Sequence, residues 1–337
     1  MTGAPGTRNL ITDVPGLAVG QAEDAAARTG VTVLLPDGRA VAGCDVRGGG
    51  PGTRETDALA PEILVDAVDA VVLAGGSVYG LAAADGVVAW LGANGRGYGL
   101  VRREGVPLSP VVPAAILYDL ANGGDKAWGE DPPYRRLGRE AAAAARADVA
   151  LGSAGAGAGA MAGALKGGVG SASWILDDGV AVGALACVNS HGSVVAPGGR
   201  TFWAAPFEVG GEFGGLGSAG LSAAPGDWGL SKGAAAPRQN TTIACVATDA
   251  ALTPAQARRL AMMAQAGLAR AIRPAFAPFD GDVVFALSTG RRPLAGGEVQ
   301  LARIGSAAAD CLARAIARGV YEAAGWPGAV AWRDLPA

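Results

Sequence analysis

Glycine supplies 55 of the 337 residues and aromatic side chains only 5%. A chain so poor in bulky side chains cannot fill its interior with aromatic plugs. It has to bring backbones close together, and glycine and alanine at the contacts permit that. Half the residues are apolar and 17% are charged, so material for a buried core is ample. At this length such a core can serve one large domain or two ordinary ones.

Apolar runs bounded by turn signals recur at Val31–Leu35, Ala70–Leu73, Val180–Val188, Thr242–Ala247 and Asp282–Leu287. Their length and β-branched content predict strands. Asp178-Gly179 is a tight-turn pair, so Trp174 to Val188 reads as a hairpin. Thr253-Pro254-Ala255-Gln256 is a capping box with proline at the first helical position. Behind it Ala257, Leu260, Ala261, Ala264, Leu268 and Ile272 recur at helical steps. Ile304, Ala308, Cys311, Leu312, Ala315 and Ile316 do the same in a helix ending near Gly319. Strands followed by long helices predict a layered α/β or α+β domain. Ala196 to Asn240 breaks the rhythm: it is crowded with Gly, Pro and Ala and has no period. It ends where the strand-like Thr241-Thr242-Ile243 begins, a junction expected to be exposed on one side and rigid on the other.

The net charge of −3 has no basic block behind it, which argues against nucleic acid or an acidic membrane surface as a partner. No charged and then apolar leader opens the sequence. The longest uncharged stretch, Val149–Leu165, is 17 residues interrupted by five glycines, too short for a membrane span. A cytoplasmic protein is expected. The four cysteines are scattered and read as small buried hydrophobes. There is one histidine, His191, in Asn-Ser-His-Gly, which reads as a surface turn. Zinc sites of histidine-rich type and imidazole-based triads are therefore poorly supplied, and neither metal nor cofactor is expected.

Two glycine junctions invite a ligand reading. Gly155 to Ala160 fits G-x-G-x-x-A, with Asp177 about twenty residues beyond Gly157. Its preceding strand is barely four residues long, so close packing accounts for it as well. Leu73-Ala74-Gly75-Gly76-Ser77 is a strand-to-turn junction before the helix-like Val78–Leu91, and Gly75 and Gly76 could offer backbone amides to a substrate. Asn240-Thr241 carries a more specific chemistry. A threonine hydroxyl against the preceding carbonyl can attack it, giving an ester that water cleaves. The new amino terminus can then act as the hydroxyl's own base, with no histidine required.

Around that dipeptide lie further motifs: NLITDVPGLAVG (9–20), LAGGSVYGL (73–81), GSAGAGAGAMAGALKGGVGSASW (152–174), ALACVNSHG (184–192), NTTIACV (240–246) and FDGDVVFALST (279–289). In this order they resemble the self-processing L-aminopeptidase/D-esterase family, which includes β-aminopeptidases and the nylon-oligomer endohydrolase. The resemblance implies an N-terminal-nucleophile-like four-layer αββα sandwich. It implies a single domain over 1–337 that is cleaved into 1–240 and 241–337, an aminopeptidase or amidohydrolase activity on short peptides, amides or amide oligomers, and a homo-oligomer, a tetramer of processed heterodimers. Thr241 falls at the nucleophile and Asn189 at the residue that holds the oxyanion or scissile carbonyl. Lys166 matches a lysine beside the nucleophile, Tyr118 a pocket tyrosine, and Asp280 with Asp282 an acidic pair that orients the new amine or receives the substrate's.

Asn189-Ser190 is a rival cleavage point, set aside because it follows no loose segment and Asn189 matches the separate asparagine motif. Threonine stands where many peptidase relatives use serine, and Asp-Gly-Asp where the β-aminopeptidases are more Glu-like. An acyltransferase resembling ornithine acetyltransferase, or a binding protein keeping the fold without catalysis, would share these features.

Overall fold

The computed structural model describes residues 3–101, 103–219, 221–222, 224–233 and 240–336. These residues form fourteen strands and four α-helices. A five-stranded sheet is built from β2 (Leu17–Asp24), β3 (Thr29–Pro36), β5 (Thr53–Arg54), β7 (Val71–Ala74) and β8 (Ala114–Ile116), in the order β2-β3-β7-β8-β5. A seven-stranded sheet takes β1 (Gly3–Ala4), β4 (Ala40–Val46), β6 (Ala67–Val68), β11 (Gly168–Leu176), β12 (Ala181–Asn189), β13 (Thr241–Ala250) and β14 (Val283–Arg292). Its order is β1-β11-β12-β13-β14-β4-β6, with only β13 and β14 parallel. A short hairpin, β9 (Met161–Ala162) with β10 (Leu165–Lys166), stands apart.

Three cores separate four layers. Helices α1 (Ala83–Ala93) and α2 (Tyr134–Ala143) cover the outer face of the five-stranded sheet through Val31, Val33, Val72, Val87 and Leu137. Helices α3 (Pro254–Ala271) and α4 (Gly297–Tyr321) cover the outer face of the seven-stranded sheet. The third core lies between the sheets, and strand alternation is what divides the residues among them. In β13, Ala244 and Val246 face α3 and α4, while Ile243, Cys245 and Ala247 face the other sheet. In β14, Val284 and Ala286 face the helices while Val283, Phe285 and Leu287 face inward. The result is the expected αββα sandwich.

The predicted hairpin is present and longer than expected, with Gly179 left-handed at its turn. The capping box is formed: the Thr253 hydroxyl accepts from the Gln256 amide at 3.3 Å, and Gln256 Oε1 accepts from the Thr253 amide at 2.9 Å. Glycine does bring backbones together. A Cβ on Gly170 of β11 would lie 1.8 Å from the Ala315 carbonyl oxygen of α4. Gly155–Gly157 is a single 3-10 turn with no helix after it, and a Cβ on Gly157 would lie 2.3 Å from the Val169 amide. The dinucleotide fingerprint is thus a packing feature.

The aperiodic stretch after Ala196 is partly pinned. Phe202 and Phe213 enter the outer core, and Glu212 pairs with buried Arg314. Residues 234–239, which complete it before Asn240, lie outside the described residues. No helix among the described residues is long and apolar enough to cross a membrane.

Candidate active site

The Asn240–Thr241 peptide sits where three strands meet. Thr241 opens β13 opposite Asn189, the last residue of β12, and Asn240 bridges to Asp280 in parallel just before β14. Both residues are buried, Asn240 at 2% and Thr241 at 4% exposure. The exposed cleavage junction expected from sequence is thus corrected: register with β12 and the Asp280 loop encloses it. The Thr241 hydroxyl donates to the Asn240 carbonyl oxygen. The Gly281 amide donates to that same oxygen at 3.1 Å. A Cβ on Gly281 would fall 2.6 Å from Thr241 Oγ1, so only glycine fits between the two aspartates. The site therefore holds a hydroxyl and a fixed amide donor on one carbonyl oxygen, and the amide is a preorganised N–H of the kind that can meet an oxyanion. The Asp-Gly-Asp spacing marked the bend but not this donor.

Asp282 and Asp280 brace that loop. Asp282 accepts from the Thr242 amide at 2.7 Å and the Phe276 amide at 3.1 Å. Asp280 accepts from the Ala277 amide at 3.0 Å. Burial, with Asp280 as a like charge, pushes Asp282 up to about 7, and burial raises Asp280 as well. His191, expected at the surface, is 4% exposed, its ring edge-on to Phe279 and Trp228 at 4.7 and 5.8 Å. Two residues beyond Asn189, it is drawn in by these rings. Burial lowers its pKa, with Asp280 opposing and Lys232 adding to the shift.

Asn189 lies on the other side of Thr241. Its Nδ2 donates to the Tyr118 carbonyl at 3.0 Å and its Oδ1 accepts from the Met161 amide at 2.9 Å. Asn189 and Tyr118 line a cavity of about 200 Å³ with Asp119, Asn122, Met161 and Lys232. Lys232 Nζ donates to the Asn189 carbonyl at 3.1 Å and to its Oδ1 at 3.4 Å. Sequence reasoning missed Lys232, because its aperiodic surroundings carry no signal of where it points.

Lys166 is fully buried, but its ammonium donates to the carbonyls of Gly157 at 2.9 Å and Gly167 at 2.5 Å and lies over the Trp326 ring. Burial lowers it to about 7, and the charge opposing that shift is Asp119. The expected amide donors at Gly75 and Gly76 are spent inside the fold. Gly75 donates to Gly30 at 2.9 Å and Gly76 to the Asp119 carboxylate at 2.7 Å. That corrects their assignment as substrate-binding amides.

Six of the twelve buried side-chain atoms with no partner among the described residues lie at this junction: both amide atoms of Asn240, Thr242 Oγ1, Asp280 Oδ1 and both His191 nitrogens. Such atoms are costly and rare in folded cores, and they concentrate where a reaction or ligand uses them.

The description "Peptidase family S58" matches residues 9–331. An uncharacterized aminopeptidase of Mycobacterium tuberculosis (strain H37Rv) is 48% identical over 97% of this chain and 98% of its own length. The 6-aminohexanoate-oligomer endohydrolase of Kocuria sp. (strain KY2) is 28% identical over 84% of this chain and 76% of its own. Among solved structures, the L-aminopeptidase D-Ala-esterase/amidase of Ochrobactrum anthropi, described as a variant of the Ntn hydrolase fold, superposes with a TM-score of 0.70. That match is 24% identical and covers 98% of this chain and 92% of the other. With the layered fold, these matches establish that the chain belongs to peptidase family S58 and is an amide hydrolase with an Ntn-hydrolase fold.

Proposed function

We propose that Thr241 is the nucleophile of two successive reactions, the cutting of its own chain and the hydrolysis of amide substrates. The observation that carries this reading is the pair of contacts on one oxygen, Thr241 Oγ1 and the Gly281 amide on the Asn240 carbonyl. In the first reaction Oγ1 adds to the Asn240 carbonyl carbon. The oxygen takes negative charge under the Gly281 N–H, the C–N bond breaks, and the departing nitrogen takes the proton. Water then cleaves the ester, leaving an Asn240 carboxylate and a free Thr241 amine.

In the second reaction that amine accepts the hydroxyl proton as Oγ1 adds to the substrate carbonyl. An acyl-enzyme forms, the amine product departs with a proton, and water releases the acid. Asn189, on the strand opposite Thr241, is the donor that meets the substrate oxyanion, and Asp280 with Asp282 hold the loop against the new amine. The substrates are short peptides or amides with a free amino group, as the aminopeptidase relative suggests, and amide oligomers, as the endohydrolase relative does.

The two products, of 240 and 97 residues, stay together through the β12–β13 ladder and the packing of α4 on β11 and β12, without a disulfide. We place the mature enzyme in the cytoplasm as a tetramer of processed heterodimers, which light scattering on the purified protein tests. Mass spectrometry is the test of the mechanism. A fragment beginning at Thr241 is expected, and a cut before Ser190 overturns the assignment. Hydrolysis of a panel of aminoacyl, β-aminoacyl and aminohexanoyl anilides then ranks the substrates. Acyl transfer to an amine in place of water would make the enzyme a transferase.

A further inference from the structure

Two lysines with lowered pKa lie near the reacting strand ends, and their contacts differ. Lys166 is occupied by the Gly157 and Gly167 carbonyls, and its electrostatic partner is Asp119. Lys232 is turned toward the reaction. Its ammonium contacts both the backbone oxygen and Oδ1 of Asn189, and its electrostatic partner is Asp280. It also shares the cavity wall with Tyr118, Met161 and Asn189.

An asparagine amide presents a donor or an acceptor depending on which way it is turned, and its neighbours decide that. Oδ1 of Asn189 takes two donors, Met161 N at 2.9 Å and Lys232 Nζ at 3.4 Å. Nδ2 is thereby fixed as the donor, with the Tyr118 carbonyl as its acceptor at 3.0 Å. An Asn189 turned the other way would set its NH₂ against an amide N–H and an ammonium. Lys232 is also held by contacts on the N-terminal side of the proposed cut. Its amide donates to the His191 carbonyl at 2.9 Å, and Leu230 beside it accepts from the Ala164 amide at 2.7 Å. Ser231 Oγ accepts from the Ser193 amide at 3.2 Å. All these anchors precede Asn240.

We propose that Lys232, and not Lys166, is the positioning cation of the reaction: its ammonium holds the Asn189 side chain with Nδ2 as the donor on the cavity wall it shares with Tyr118, where the substrate oxyanion formed on attack by Thr241 is met. This rests on the proposed roles of Thr241 and Asn189, and the test separates the two.

A double-mutant cycle on Asn189→Ala and Lys232→Met measures whether the lysine acts through the asparagine. With the fastest-cleaved anilide of the panel, each single variant is expected to lower kcat by roughly 100-fold, the scale of one lost oxyanion donor, with little change in KM. The double variant should be no slower than Asn189→Ala alone. Lys166→Met combined with Asn189→Ala should instead multiply the two losses. Rates are expressed per mole of Thr241 amino terminus found by mass spectrometry, so that slow maturation of a variant is not counted as slow hydrolysis. Lys232→Arg, which keeps a cation on the cavity wall, should retain kcat within about tenfold of wild type, well short of the oxyanion-donor loss. Multiplicative losses for Asn189 and Lys232, a Lys232→Met variant within twofold of wild type, or an arginine variant as slow as the methionine one would each overturn the proposal. If mass spectrometry finds no Thr241 terminus in wild type, the underlying mechanism has failed instead.

Discussion

The two ends of β13 obey different rules. From Ile243 onward the strand is core: Ile243, Cys245 and Ala247 face the inter-sheet interior, Ala244 and Val246 the helices. At the start, Asn240, Thr241 and Thr242 are equally buried but polar, and Asn240 and Thr242 have side-chain atoms with no partner among the described residues. One end is optimised for packing. The other accepts the desolvation cost of polar groups, which a hydrolase needs to hold a hydroxyl beside a carbonyl in a water-poor setting. The contrast teaches that rigidity at one end positions the Thr241 hydroxyl at the other, since β12 and β14 fix the register of Thr241 against Asn189 and of Asn240 against Asp280.

The sharpest way to break the contrast is to remove the hydroxyl. Thr241→Ala should leave an intact 33.1-kDa chain on a denaturing gel and no amidase activity, while Thr241→Ser should still be cut. Next comes the glycine that lets the two groups meet. Gly281→Ala places a methyl 2.6 Å from Thr241 Oγ1, and self-cleavage should slow by at least about 100-fold in a timed incubation, comparable to losing an oxyanion donor.

At the packed end the effect should fall on stability instead. Ile243→Ala, at a fully buried position, should cost about 2–5 kcal/mol in denaturant unfolding of the Thr241→Ala chain, where cleavage does not interfere. In an otherwise wild-type chain the same substitution should still be cut. Loss of cleavage in a folded Ile243→Ala protein would mean that the two ends are not separable.

The mildest expected effect is on pH. Burial first and Asp280 second raise the Asp282 carboxyl from 3.8 to about 7, so between those values the folded chain keeps a proton that the unfolded chain has released. Its contribution to stability is full below the ordinary carboxylate pKa and is lost as pH rises toward 7. Asp282→Asn should flatten the stability profile of the uncleaved Thr241→Ala chain across that window, measured as Tm against pH. A slope unchanged by the substitution would show that Asp282 is already ionised in the fold.

Much of this architecture was legible because it rests on local rules. The length and β-branched content of Val180–Val188 and Thr242–Ala247 predict strands whichever strands they pair with, and Thr253 to Gln256 caps its helix from within one turn. The chemistry that Asn240-Thr241 could carry was equally readable, since a hydroxyl after an amide carbonyl and a shortage of imidazole are facts of covalent order. His191, Gly75 and Gly76 were misplaced for the opposite reason. The histidine's local turn says nothing of Phe279, 88 positions later, which takes it inside, and the glycine amides are claimed by Gly30 and Asp119, distant in sequence.

By itself, then, the order of residues determined the strands, the capped helices and the chemistry available to Asn240-Thr241, because each depends on neighbours within a few positions. Only the tertiary structure decided that Gly281 donates to the Asn240 carbonyl and that Lys232 contacts Asn189 where Lys166 does not. Those contacts depend on sheet order and register, which bring together side chains far apart along the chain, and no local periodicity encodes the direction in which a lysine on an irregular segment will point.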